Sequence, residues 1–249
     1  MGILDRTLNT ISRGELITPY IEQAVMTNNW PSEYPVKVYN KERVWDGYFH
    51  PSSDAYAGEM LLFCKFSPKY REGLLPEVIT PSLAMTFQVG SALHAIVQSM
   101  LIHLGFTTED EVEVNYVNEE RHTSGTTDIR KLTLPNGREV LVDIKSCSRL
   151  PTSVTKEYKT QVRIYQDNVP DAPDEMVILY IEKAHPHGIR DFIVEKDPEE
   201  LESIYSKWNK IIEAVEFDDY SSLTPCCSGQ VDKKMTSCPA RDICPIWNH

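Results

Sequence analysis

No apolar run in the 249 residues approaches the roughly 20 needed to span a bilayer, which predicts a chain without a membrane segment. Met1 to Arg13 lack the basic start, continuous apolar stretch and small-residue cleavage site of a secretory signal. A cytoplasmic setting is therefore expected. Basic charge is also short: 25 Lys and Arg against 37 Asp and Glu give a formal charge of -12. Such a chain is a poor general-purpose nucleic-acid coat, because that role rests on cations neutralising phosphates. A local basic path through Lys65, Lys69, Arg71, Arg121, Arg130, Lys131, Lys156, Lys159 and Arg163 is still compatible with holding a strand. Internal repeats and low-complexity tracts are absent. What is there, 41% hydrophobic and 25% charged residues, is ordinary globular composition, and the length suits one sizeable domain with decorations.

Residues 1 to about 30 read as helical, with Ile17, Ile21 and Val25 at four-residue spacing, and Pro31 to Pro51 reads as a linker with local structure. From Gly90 to Leu104, the apolar residues Leu93, Ile96, Val97, Met100, Leu101 and Leu104 mark one stripe of a helix that Gly105 ends. The period then changes to two. Strands are expected around Val112 to Val114, over 124–134 and over 138–145, the last two joined by a turn at Pro135-Asn136-Gly137. A helix over 154–167, a strongly apolar strand from Met176 to Lys183, a turn at His185-Pro186-His187-Gly188 and a shorter strand from Arg190 to Glu195 follow. A last helix begins at Asp197, with Pro198 in its first turn and Glu200 three residues after the cap, and runs to about Phe217. The fold class is α/β, a mixed central sheet flanked by helices in the order α-β-β-β-α-β. A helical N-terminal region and linker occupy 1–55, the core 56–220, and a cysteine-rich tail 221–249.

In the third strand, Val140, Val142 and Ile144 share one face, and Leu141, Asp143 and Lys145 the other. An acid and an amine two residues apart can hold a cation and stabilise developing negative charge; a half-exposed strand ending in charge has the same pattern. Asp128, in Gly125-Thr126-Thr127-Asp128, lies on the preceding strand, where a short hairpin would bring it beside Asp143. Two carboxylates with carbonyl and water suit Mg²⁺ or Mn²⁺ better than zinc. His94 stands on the helix before the sheet. Gln161 and Tyr165, four apart, share a face of the later helix. Glu111 and Glu113 on the first strand are weaker candidates.

The set Gly90 with His94, Gly125 with Asp128, Asp143 with Lys145, and Gln161 with Tyr165 resembles the PD-(D/E)XK nuclease superfamily, specifically its RecB-like exonuclease branch. The resemblance implies a restriction-endonuclease-like core over about 56–185. It also implies a metal held by His94, Asp128, Asp143 and the Ile144 carbonyl, with Lys145 assisting the attacking water and Gln161 and Tyr165 positioning DNA. The expected function is a Mg²⁺- or Mn²⁺-dependent exonuclease on single-stranded DNA or duplex ends. Recombination, repair or phage DNA metabolism in a prokaryotic cell or phage-infected host would use it, with a helicase or recombinase as a possible partner. A non-catalytic DNA-binding or assembly subunit and a restriction-type endonuclease are the alternatives.

Of six cysteines, Cys226, Cys227, Cys238 and Cys244 lie in a proline-bearing tail with little core of its own. In a reducing compartment, clustered cysteines suggest metal ligands before disulfides. One early cysteine, Cys64, plus a C-terminal triplet is similar to the iron-sulfur staple of CRISPR-associated adaptation nucleases. That resemblance implies a 4Fe-4S cluster on Cys64, Cys227 or alternatively Cys226, Cys238 and Cys244; the ten-residue gap between Cys227 and Cys238 departs from the usual spacing. Four thiolates also suit zinc, and a zinc site of the four tail cysteines is the rival. Cys147 reads as a small buried residue.

Overall fold

A computed structural model describes residues 16–36, 45–76, 78–184, 188–228 and 233–247. Residues 1–15 of the expected first helix, 37–44 of the linker, and His185, Pro186 and His187 of the expected turn lie outside the described residues. The helices are α1 (Thr18–Met26), α2 (Pro51–Asp54), α3 (Glu59–Phe66), α4 (Pro68–Arg71), α5 (Pro81–His103), α6 (Lys156–Asn168), α7 (Pro198–Phe217) and α8 (Lys233–Thr236). The strands are β1 (Val112–Asn118), β2 (Thr123–Thr133), β3 (Glu139–Cys147), β4 (Glu175–Glu182) and β5 (Ile189–Val194). They form one sheet in the order β1-β2-β3-β4-β5. The pairs are antiparallel except β3 with β4, which run parallel, with α6 as the crossover. The expected α-β-β-β-α-β order is the one observed.

Local chemistry accounts for the element ends. Gly137, at φ 82, lets the β2–β3 connection close, with its N–H donating to the Leu134 carbonyl at 2.8 Å. Helix α5 stops where Gly105, at φ 74, turns left-handed and Phe106 N–H returns to the Leu101 carbonyl at 3.0 Å. Asp197 caps α7 by accepting from Glu200 N–H at 3.0 Å. The start of α5 differs from expectation by more than two turns. It begins at Pro81 with Thr80 as cap, accepting from Leu83 N–H at 3.2 Å. Between Pro81 and Val89 the helix projects beyond the sheet and is largely exposed, so no apolar stripe marks it in the sequence. By length and mean hydropathy, 1.2 in its best window, α5 is apolar enough to cross a membrane, although polar residues interrupt it and it holds no continuous apolar run of that length. Its second half is a core helix, burying Val97, Met100 and Leu101.

Three apolar clusters organise the molecule. On one sheet face, Val140, Val142, Ile144, Val177 and Leu179 pack against α5 and against Ile17, Ile21 and Ala24 around α1. On the other, Leu141, Met176, Ile178 and Tyr180 pack under α6 through Val162 and Tyr165. Both sheet faces are therefore covered, which is why β4 is apolar at successive positions instead of alternating. The third cluster lies off the sheet. It joins Phe63 and Cys64 of α3 and Trp208 and Ile211 of α7 to Leu223, Ala240 and Cys244 of the tail. Phe49 stacks on Trp208 with ring centroids 4.7 Å apart. The short helices α2, α3 and α4 were not expected, being too brief to show a helical period.

Candidate active site

Helix α5, strands β2 and β3, and helix α6 converge where β2 and β3 end their shared pairing. Asp143 projects from β3 and is buried, while Asp128 projects from β2. The Ile144 N–H donates to Asp128 Oδ2, and His94 Nδ1 lies 3.3 Å from Asp128 Oδ1. Lys145 Nζ donates to Asp143 Oδ1 at 3.1 Å and to Gln161 Oε1 at 2.9 Å, and Gln161 Nε2 donates to the Tyr165 hydroxyl at 2.8 Å. One continuous polar chain thus runs Asp143, Lys145, Gln161, Tyr165. Asp143 Oδ2 is 2.9 Å from Lys145 Nζ, yet off the direction of any hydrogen bond, so it has ion-pair attraction and an unfilled acceptor.

The two carboxylates are pushed apart in acidity. Burial, against Lys145 and with repulsion from Asp128, raises the Asp143 pKa to about 6. Asp128 is half-buried, and His94, Lys145 and the Ile144 N–H outweigh its desolvation and hold its pKa below the ordinary carboxylate value. Burial disfavours the charged forms of His94 and Lys145, while the carboxylates outweigh it and raise both pKa values.

The two glycines of the motif set are explained by packing. A Cβ at Gly125 would stand 3.0 Å from the Tyr116 ring and 3.2 Å from the Tyr165 ring, and one at Gly90 would stand 3.1 Å from Ser146 Oγ on β3. Gly125 lets α6 close on β2. Gly90 lets α5 close on β3.

The structure brings His94, Asp128, Asp143, Lys145, Gln161 and Tyr165 together, with Ile144 between the acids. Gln161 and Tyr165 are buried, so Tyr165 acts through Gln161 instead of facing solvent. Sequence reasoning missed Gln98, one turn after His94, which donates to the Asp128 carbonyl at 2.9 Å and to Glu113 Oε1 at 3.0 Å. The signal was its i, i+4 relation to His94. Glu113 reaches Gln98 from a β1 residue at φ 52, whereas Glu111 pairs with Arg130. The basic path is largely committed elsewhere: Lys65 to Asp54, Lys69 to Asp218, Arg130 to Glu111, Lys131 to Glu139, Lys156 to Glu200, and Arg163 to Asp197 and Glu200.

Far along the fold, the tail folds back on α3. Cys226 Sγ accepts the Leu61 N–H at 3.2 Å, supplying the acceptor at the N-terminus of α3 that Gly58 cannot. A Cβ at Gly58 would lie 2.3 Å from that sulfur. Burial pushes the Cys64 thiol up to about 12, and Cys244, Cys238 and Cys226 add to the shift. Burial also raises Cys244 and Cys226, while backbone N–H groups of Ile246 and Trp247, and of Leu61 and Met60, oppose it. Cys226, Cys227, Cys238 and Cys244 all line one small cavity, and of the adjacent pair it is Cys226 whose sulfur meets α3 at the Leu61 N–H. All six cysteines are free thiols, and Cys147 is partly exposed.

Among the described residues, no group of three or more His, Cys, Asp or Glu side chains is arranged, as it stands, to hold a metal ion. At the carboxylate pair, the His94–Asp128 and Lys145–Asp143 contacts occupy the donor lobes that a cation would use. The donor set itself fits a hard cation: two carboxylates and an imidazole, one acid carrying a buried oxygen without a hydrogen bond. The cysteine set fits a thiophilic metal, with backbone N–H groups already directed at two of the sulfurs.

No protein-family model and no curated protein sequence matches the chain. Among solved structures it is similar to the protein SSO0001, with 15% identity and a TM-score of 0.47 over 82% of this chain and 89% of that one. It is also similar to an alkaline exonuclease from Laribacter hongkongensis, with 13% identity and a TM-score of 0.42 over 69% of this chain and 89% of that one.

Proposed function

We propose that the chain is a Mg²⁺- or Mn²⁺-dependent deoxyribonuclease that hydrolyses phosphodiesters in single-stranded DNA or at duplex ends. The observation that carries this reading is the pair of carboxylates on adjacent strands, Asp143 buried with raised pKa and Asp128 half-buried with lowered pKa, beside an ammonium held by Asp143 and Gln161. Asp128, Asp143, His94 and the Ile144 carbonyl would hold the cation. When bound, it would neutralise charge on the scissile phosphate and acidify water. Lys145 presents a positive charge to the phosphate oxygens as negative charge develops there. Gln161, oriented by Tyr165, keeps the ammonium from folding fully onto Asp143. Gln98 fixes the backbone that carries Asp128. For the tail, we infer a 4Fe-4S cluster or zinc held by Cys64, Cys226, Cys238 and Cys244, with Cys227 as alternative to Cys226, tying the tail to α3. Recombination, repair or phage DNA metabolism, alongside a helicase or recombinase, is the setting this chemistry would serve.

The donor lobes closed by His94 and Lys145 favour a second reading, a DNA-binding or assembly subunit without catalysis. Calorimetric titration with Mn²⁺, followed by incubation with a labelled strand, separates the two. Binding with cleavage is expected; no binding and no cleavage of any DNA would leave the scaffold. Anaerobic purification tests the tail: brown protein is expected for the cluster, and colourless protein with stoichiometric zinc for its rival.

A further inference from the structure

Tyr158 belongs to none of the roles above, yet it stands at the mouth of the site. It lies in the first turn of α6, where Thr155 Oγ1 accepts its N–H, and it shares a helix face with Gln161 and Tyr165 at spacings of three and seven. Those two are buried, whereas Tyr158 is 37% exposed. Its ring covers the Lys145 ammonium at 4.9 Å from the centroid. Tyr180, opposite Lys145 in the β3–β4 register, meets it at a tilt, with centroids 6.3 Å apart. The aromatic ring is thus braced by a cation and a buried tyrosine while more than a third of the residue stays exposed. Gln161 and Asp143 take the remaining directions of the ammonium.

We propose that Tyr158 is a substrate-binding residue whose exposed ring stacks on an unpaired nucleobase next to the scissile phosphate, which makes single-stranded DNA the preferred substrate. The argument rests on the nuclease reading for the site and goes beyond it in naming the form of the substrate. A base still paired and stacked within a duplex has no free face to offer the ring, whereas an unpaired base does. Stacking on an aromatic is tolerant of sequence, so no base preference is needed. It also does not depend on surface cations, which suits a chain of charge -12 whose lysines and arginines are largely paired. The ring lies against Lys145, so a base seated on it lies beside the positive charge of the site.

The test is fluorescence anisotropy of a labelled twenty-nucleotide thymidine strand in EDTA, with the wild type, Tyr158→Phe and Tyr158→Leu. A blunt duplex and a strand of abasic sites serve as comparison ligands. Stacking of this kind predicts a loss of about 5- to 150-fold for Tyr158→Leu on the single strand, with Tyr158→Phe within about twofold of wild type. Wild type should bind the abasic strand about 5- to 150-fold more weakly than the thymidine strand, a comparison that holds even if the leucine variant folds poorly. Equal single-strand affinity in Tyr158→Leu, or equal losses on duplex and single strand, would overturn the inference. Wild-type cleavage with Mn²⁺ alongside either result leaves the nuclease reading standing. Absence of both DNA binding and cleavage in the wild type overturns both.

Discussion

Asp143 carries a proton at a pH where ordinary carboxylates have lost theirs, because burial and the Asp128 charge outweigh Lys145. Between 3.8 and about 6, the folded protein therefore binds a proton that the unfolded chain does not, and metal-free stability falls as pH rises through that window. A cation must displace the proton. Mn²⁺ affinity measured calorimetrically should fall at least about tenfold per pH unit below pH 6, and above pH 6 should keep rising until His94, whose pKa is also raised, has lost its proton. An affinity unchanged between pH 5 and pH 7 would show that Asp143 is not a ligand. His94, raised by Asp128 and Asp143 against the effect of burial, adds to the same trend. Much of this centre was legible as residue types in order, because a strand period of two and a helix spacing of four place Asp143, Lys145, Gln161 and Tyr165 without tertiary knowledge. Glu113 was visible only as a weaker candidate, and Gln98 and Tyr158 were not singled out, since their contacts are with residues far away in sequence.

Among the elements, the attachment of α1 depends on β5. The buried Asp191 carboxylate accepts from Leu16 N–H, from Ile17 and Thr18 N–H at 3.1 and 3.3 Å, and from the Thr18 hydroxyl at 2.6 Å. Asp191→Ala leaves buried donors unpaired at roughly 1–3 kcal/mol each, and urea unfolding should show a correspondingly lower midpoint. Helix α3 depends likewise on Cys226. Gly58→Ala drives a methyl group into the sulfur and should cost about 1–3 kcal/mol, read as a lower Tm and loss of tail metal. An unchanged Tm and metal content would mean that the tail does not need that close approach. The sequence showed long elements with an apolar stripe and failed where the stripe is missing. The first half of α5 touches little, and α2 to α4 are each about one or two turns long. The Pro81 start with its Thr80 cap was readable in hindsight from cap chemistry, but periodicity gave it no support.

At the scale of the whole molecule, the sheet with its two covered faces and the cluster of α3, α7 and tail are separate apolar units. Cys64→Ser should remove metal from the tail and lower Tm while leaving cleavage per folded molecule close to wild type, because the carboxylate pair lies on the sheet. Loss of cleavage without loss of folded protein would instead tie the tail to the reaction. The approach of the tail to Cys64 could be anticipated only from the family resemblance, since composition marks the tail cysteines and not Cys64. The close approach of Cys226 to Gly58 could not, because it is a contact between residues far apart in sequence. The most direct measurement is the rate at which a labelled single strand is cleaved in Mn²⁺ by the wild type and by Lys145→Ala, with circular dichroism confirming equal folding. Cleavage that EDTA abolishes and Lys145→Ala slows by about 10²- to 10³-fold is predicted; cleavage that persists in EDTA, or at an unchanged rate in Lys145→Ala, would contradict a cation-dependent centre at these residues.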